Sequence, residues 1–181
     1  MRVSIRIATE ADAHGIATVH VLSWQAAYRG IFTDEKLASL SIEEREVAWK
    51  RRLIGEDQDC ADWTNIVGEA DGKIIGFATY RPCGDEDKDR ASVGELVAIY
   101  VLADHWGQGV GTSMLDEVVS HFEREAVSQV TLWVIEGNHR AGRFYQAAGF
   151  KPDGVKKTEV KLGTSVVLVR YIREVSSLNQ V

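Results

Sequence analysis

Cysteine and proline are nearly absent from this chain, with two of each in 181 residues. Cys60 and Cys83 form no C-x-x-C pair, which excludes both a zinc ribbon and a disulfide framework. So few prolines exclude long polyproline linkers. No run approaches the roughly 20 apolar residues that a membrane span needs, so no membrane partner is expected. The histidines (His14, His20, His105, His121, His139) include no H-x-x-x-H or H-E-x-x-H spacing, so no metal is expected. The opening MRVSIRIATEADAHG has no apolar core of a secretory signal, which points to the cytoplasm. Positive charge is also scarce. Lys and Arg total 21 against 27 Asp and Glu, a net charge of −6 that disfavours a general nucleic-acid binder. The acidic surplus reads as solubility.

What is present suits one soluble domain spanning 1–181. The apolar share is 45% and the charged share 27%, and a chain of this size buries roughly 70% of its unfolded surface. Val3 to Ile7 alternates apolar and polar, as a strand does. Thr9 and Asp12 form a capping box that opens a helix to about Ala27, and Ser41 with Glu44 repeats the device for residues 41–54. Between them lies a loop with a short helix. NIVGEA, a turn at Asp71-Gly72 and IIGFATYR predict a β-hairpin. PCGDEDKDRA reads as a solvated loop. SVGELVAIYVL, residues 92–102, is nearly continuous in apolar character and predicts a central strand covered on both faces.

A helix from about Gly109 to Glu125 follows, with Met114, Leu115, Val118, Val119 and Phe122 on one stripe. VTLWVI is another strand. Asn138 caps a helix whose buried stripe is Ala141, Phe144, Tyr145 and Ala148, closed by Gly149 and Phe150. TEVKL and SVVLVRYI flank a second hairpin turn. The order β-α-α-β-β-β-α-β-α-β-β predicts an α/β (α+β) domain. It has one mixed central sheet of about seven strands, with helices on both faces and a right-handed crossover through residues 92–135.

The segment VLADHWGQGVGT carries the most chemistry. A strand feeds Gly107, Gly109 and Gly111, and a helix begins at once. Such a junction gathers unpaired backbone N–H groups and a positive helix end, which suits a phosphate. A tight strand-to-helix connection would use the same glycines. The spacing G-x-G-x-G is not the dinucleotide fingerprint, because Thr112 stands where its third glycine belongs. Without a lysine the turn is not a Walker loop either.

ELVAIYVL, HWGQGVG, LWVIEGN and RAGRFYQAAGF follow one another in an order that resembles the GNAT superfamily of acetyl-CoA-dependent N-acetyltransferases. The resemblance covers about residues 64–173, and IRIATEADAHGIATVHVLSWQAAYRGI looks like the opening strand and helix of bacterial members. The family motif R/Q-x-x-G-x-G/A matches at Gly109 and Gly111, with Trp106 in the Arg/Gln position. The resemblance implies that the backbone of Gly107, Gln108, Gly109, Val110, Gly111 and Thr112 holds the pyrophosphate of coenzyme A. The strand edge near Ile99 and Val101 would pair with the pantetheine arm and offer an N–H to the thioester oxygen. Asn138 would contact the pantetheine, and Tyr145 would protonate the departing thiolate.

Transfer to an amine first needs the amine neutral, which for a lysine-like group costs about 4.6 kcal/mol at pH 7. Glu95, placed by alternation on the face of Val97, Ile99 and Val101, is the candidate base, a position where GNAT members often carry a glutamate. The resemblance also implies that Trp24 and Tyr28 line the site of the acceptor, a small-molecule or peptide amine, though apolar packing against the sheet would use the same two residues. The resemblance implies a homodimer as well, since GNAT domains often associate in pairs. Two other readings use the same glycine turn: a non-catalytic acyl-CoA-binding sensor, and a nucleotide-dependent oxidoreductase.

Overall fold

Residue Thr9 starts the first helix as its spacing predicts. Its N–H donates to Asp12 Oδ2 at 2.8 Å, and one 3-10 turn leads into α1, Ala13–Ala27. The same carboxylate takes both Nη atoms of Arg6, at 2.7 and 2.8 Å. Arg6 foremost holds Asp12 at about 2, below its ordinary 3.8. A depressed carboxylate stabilises the fold above its unfolded pKa, and the contribution is lost as pH falls through the folded value. Asp12→Asn is therefore expected to cost about 2 kcal/mol at neutral pH, with the difference from wild type vanishing between about pH 4 and pH 2. Denaturant titrations across that range check it; a difference independent of pH would contradict it.

The computed structural model describes residues 3–175. After α1 come α2 (Asp34–Ala38) and α3 (Ile42–Leu53), whose cap Ser41 accepts the Glu44 N–H. Then follow β2 (Thr64–Ala70), β3 (Lys73–Pro82), β4 (Val93–Val101), α4 (Val110–Arg124), β5 (Gln129–Ile135), α5 (His139–Ala147), β6 (Lys151–Lys161) and β7 (Thr164–Glu174). With β1 (Ser4–Ile7) the strands form one seven-stranded sheet in the order β1-β2-β3-β4-β5-β7-β6. All neighbours are antiparallel except β4 and β5. The predicted α/β class and mixed sheet hold, within one domain. β6 begins at Lys151, seven residues before the predicted strand segment TEVKL.

Helices cover both faces. On one side α4 buries Met114, Leu115, Val118, Val119 and Phe122 against the sheet, each contributing about 1.5–3 kcal/mol. On the other, Ile16 and Val19 of α1 pack with Trp49 of α3 and Phe77 of β3. A second cluster joins Trp24, Tyr28 and Phe32 to Ile135 and Leu168.

Two irregularities in β4 make the site. Thr79 pairs with Ala98 but Tyr80 with Leu96, so Val97 is an extra, bulged residue. The bulge reverses the alternation. Gly94 and Leu96 face α4, since a Cβ on Gly94 would strike Phe122, yet beyond the bulge Ile99 and Val101 join that side. Glu95 consequently shares its face with Ala98 and Tyr100, not with Ile99 and Val101 as strict alternation predicts. Second, β4 pairs with β5 only from Val93/Gln129 to Leu96/Leu132. Past that point the two strands part, and neither Val97–Val101 nor Trp133–Ile135 has a ladder partner in the gap.

The loop after β3 is less solvated than its composition predicts. Cys83 is fully buried, and Arg170 of β7, 2% exposed, reaches out to it. The Arg170 guanidinium donates to Asp85 at 3.1 Å, to Asp87 at 2.6 Å twice and to Asp153 at 2.7 Å. Asp85 also accepts the Trp133 Nε1–H at 3.2 Å.

Candidate active site

The gap between β4 and β5 is a cleft of about 690 Å³ that passes through the sheet. One mouth is built by the glycine turn, α4 and α5. The other is walled by Trp24 and Tyr28 of α1 and its C-cap, by Trp133, and by β6.

At the first mouth, Gly107 and Gly109 have φ of +74° and +83°, a region that side chains enter at a cost of about 1–2 kcal/mol. A Cβ on either would project into open space, so the backbone there stands bare toward the cleft. Gly109 is the N-cap of α4 and offers no side-chain cap, leaving the N–H groups of Val110, Gly111 and Thr112 without acceptors among the described residues. Such a turn can hold an anion. Gly107, Gly109, Gly111 and Thr112 line the cleft. Gln108 does not, because its side chain is tied back to the Asp104 carbonyl at 2.7 Å, and the Val110 side chain is buried in the core. Those two residues could serve a ligand only through the main chain.

Trp106 fills a role that spacing did not suggest. Its Nε1–H donates to the Val101 carbonyl at 2.7 Å, and the Arg140 guanidinium lies over its ring. Arg140, an exposed residue whose pKa is lowered by desolvation, lines the cleft and puts a cation beside the glycine turn. Sequence reasoning missed Arg140. The only signal was its position two residues after Asn138 at the start of α5.

The exposed edge of β4 follows from pairing. The Leu102 N–H donates to Ile75, so alternate residues Tyr100 and Ala98 also bond toward β3, whereas Ile99 and Val101 point their N–H and C=O groups into the gap. The Val101 carbonyl is already taken by Trp106 and by the Ser23 hydroxyl at 3.1 Å. The groups left free are the Ile99 N–H and C=O and the Val101 N–H. Asn138 lines the cleft while its Oδ1 accepts the Ala141 N–H at 3.1 Å. Tyr145 packs on Phe150 and also lines the cleft, and burial foremost pushes its hydroxyl well above the ordinary 10.

At the second mouth Glu95 is 6% exposed. Its Oε2 accepts Arg81 Nε and Nη2 at 2.9 and 2.8 Å and the Gly84 N–H at 3.2 Å. No hydrogen bond to Oε1 is formed among the described residues. The hydroxyls of Tyr28 and Tyr100 share a hydrogen bond at 3.2 Å, and the His20 ring stacks on Tyr100. Burial lowers His20 to about 3, so it is a neutral acceptor for the Trp49 indole rather than a proton carrier. Apart from Gln108 and Val110, the predicted residues from both mouths line one cleft, with Arg81 and Tyr100 as additions. Among the described residues no group of three or more His, Cys, Asp and Glu could hold a metal, and no helix is long and apolar enough to cross a membrane.

Comparison with known proteins supplies the family and a shared fold. The chain is 32% identical over 169 residues to the uncharacterized N-acetyltransferase YuaI of Bacillus subtilis, covering 89% of this chain and 92% of that one. It is 27% identical to the spermidine N(1)-acetyltransferase of Thermoplasma acidophilum, over 83% of this chain and 89% of the relative. The crystal structure of the PaiA N-acetyltransferase of Thermoplasma acidophilum in complex with coenzyme A shares the fold at TM-score 0.73 and 21% identity, over 96% and 99% of the two chains. The acetyltransferase (GNAT) family model matches residues 12–150, and the chain belongs to that family of acetyltransferases.

Proposed function

We propose that the protein moves an acetyl group from acetyl-CoA to a primary amine by direct attack on the thioester. The observation that carries this reading is the parting of β4 from β5 beyond Leu96/Leu132, which sets a bare strand edge in line with the bare start of α4. An extended amide chain ending in a pyrophosphate is the ligand such a groove fits. The fit extends to the atoms: unpaired N–H groups and the Arg140 cation for the anion, and the Ile99 and Val101 main chain with Asn138 for the amide arm. When bound, acetyl-CoA supplies the activated acetyl group.

The chain's own residues then divide the proton work. Glu95, anchored through Oε2, keeps Oε1 for the ammonium or an intervening water and takes the proton whose removal costs about 4.6 kcal/mol for a lysine-like amine at pH 7. Tyr145 remains a protonated phenol at all working pH values and delivers its proton to the leaving thiolate. A main-chain N–H of β4 faces the carbonyl oxygen. Glu95→Gln is expected to flatten the rise of rate toward neutral pH, and Tyr145→Phe to lower turnover about 10²-fold with little change in acetyl-CoA affinity. An unaltered pH–rate profile, or full turnover in Tyr145→Phe, would return the residue concerned to packing. We infer further that the protein acts in the cytoplasm, which the two unpaired cysteines suit, and as a homodimer, which sedimentation would report.

Melting with and without acetyl-CoA tests the reading. At 100 times its dissociation constant a ligand adds about 2.7 kcal/mol, or roughly 5–11 °C for a chain of this size. Acetyl-CoA is expected to give that shift while NADH and ATP do not. Equal response to the nucleotides would overturn the assignment.

A further inference from the structure

We infer that the accepted amine also carries a carboxylate, an α-amino acid being the simplest such molecule. This rests on the acetyltransferase reading and names its substrate class. The argument is one of charge at the second mouth. Arg81, Lys157 and Lys161 line it against Glu95 and Glu159, in a protein whose overall charge is −6.

Both carboxylates are already neutralised. Glu95 is held by Arg81 and the Gly84 N–H. Glu159 bridges two cations at once, Lys157 at 3.0 Å and Lys161 at 2.9 Å. Behind the wall three aspartates, Asp85, Asp87 and Asp153, are all bonded to Arg170.

A polyamine, with several ammonium groups, would find only one free carboxylate oxygen in this wall, Oε1 of Glu95, and nothing for its second ammonium. The aromatic face best placed to hold a cation is also occupied, since Lys157 Nζ sits 4.2 Å above the Trp133 ring. Among the lining residues the surplus is one of cations, two lysines sharing one glutamate, and a ligand carboxylate balances it. Glu95 Oε1 stands free to take the amine end. A molecule with ammonium and carboxylate groups fits both ends, and Trp24 and Tyr28 accommodate its apolar body.

The test uses thiol release from acetyl-CoA with three amines: phenylalanine, phenylalanine amide and spermidine. The acid is expected to exceed the amide in kcat/KM by about tenfold, the effect of one hydrogen bond to a charged group. Lys157→Gln with Lys161→Gln should narrow that gap to about threefold or less, chiefly through KM. Equal rates for acid and amide, or preference for spermidine, would overturn the inference and leave the acetyltransferase intact. A protein whose melting acetyl-CoA does not raise would bring down both.

Discussion

Gly109→Val is expected to abolish measurable acetyl-CoA binding in a protein that still folds. At φ +83° a β-branched side chain is strained, a cost of roughly 1–2 kcal/mol or somewhat more. Beyond its immediate neighbours along the chain, nothing lies within 4 Å of the added Cβ, so no core side chain is in its way. The new side chain instead occupies the open space in front of the α4 N-terminus, and relaxation of the strain rotates the following N–H groups away from the cleft. Losing two hydrogen bonds to a charged phosphate, each about 1.5–3 kcal/mol, reduces affinity by 10²-fold or more. The readout is the acetyl-CoA melting shift, present in wild type and absent in the variant. Gly111→Ala is the contrast. That residue has ordinary φ, its Cβ would touch Phe144 at 3.5 Å, and binding should survive. Retained protection in Gly109→Val would remove the cradle from the ligand's path.

Arg170→Met carries the largest expected stability loss. The wild-type guanidinium sits 3% exposed among Asp85, Asp87 and Asp153. Removing the cation leaves Asp85 and Asp153 largely buried and uncompensated, and breaking such a pair costs about 3–5 kcal/mol. For this chain length that is a fall of roughly 6–20 °C in Tm. The deficit should shrink in acid. Arg170 foremost holds Asp87 below its ordinary 3.8, so its contribution exists above that value and is lost as pH falls through the folded one. A loss of under about 1 kcal/mol at neutral pH would show the loop holding itself down without Arg170. Because Asp85 also bonds Trp133, and Gly84 bonds Glu95, the variant should raise the acceptor KM more than the acetyl-CoA KM.

These two sites differ in how much of them could be read from sequence. The glycine turn, the Asn138 cap, the α4 stripe and the Thr9–Asp12 box are encoded within a few residues, and each forms where its spacing predicts. The bulge at Val97 is invisible in a run of apolar residues, because any of them could be the extra one. That single insertion moved Glu95 to the other face of β4. The Arg170 cluster joins residues 17 to 85 positions apart, and Arg140 meets Trp106 across a whole β-α unit. Such contacts depend on which strands become neighbours, and local pattern does not carry that information. A loop rich in aspartate looks solvated until its buried counterion is known.

The parting of β4 and β5 has a consequence for self-association. An unpaired strand edge ordinarily invites a strand from another molecule and so seeds aggregation. Here both edges lie inside a sheet rather than at its rim. The pairing of Leu96 with Leu132 closes the gap at one end, and the Trp106 indole and Ser23 hydroxyl already occupy the Val101 carbonyl near the other. A neighbouring protein's strand, with side chains on two faces and flanking structure at each end, has no way into such a slot. A thin, unbranched chain can thread it. The protein thereby keeps an open set of main-chain hydrogen-bonding groups available to a small molecule while withholding them from its own kind.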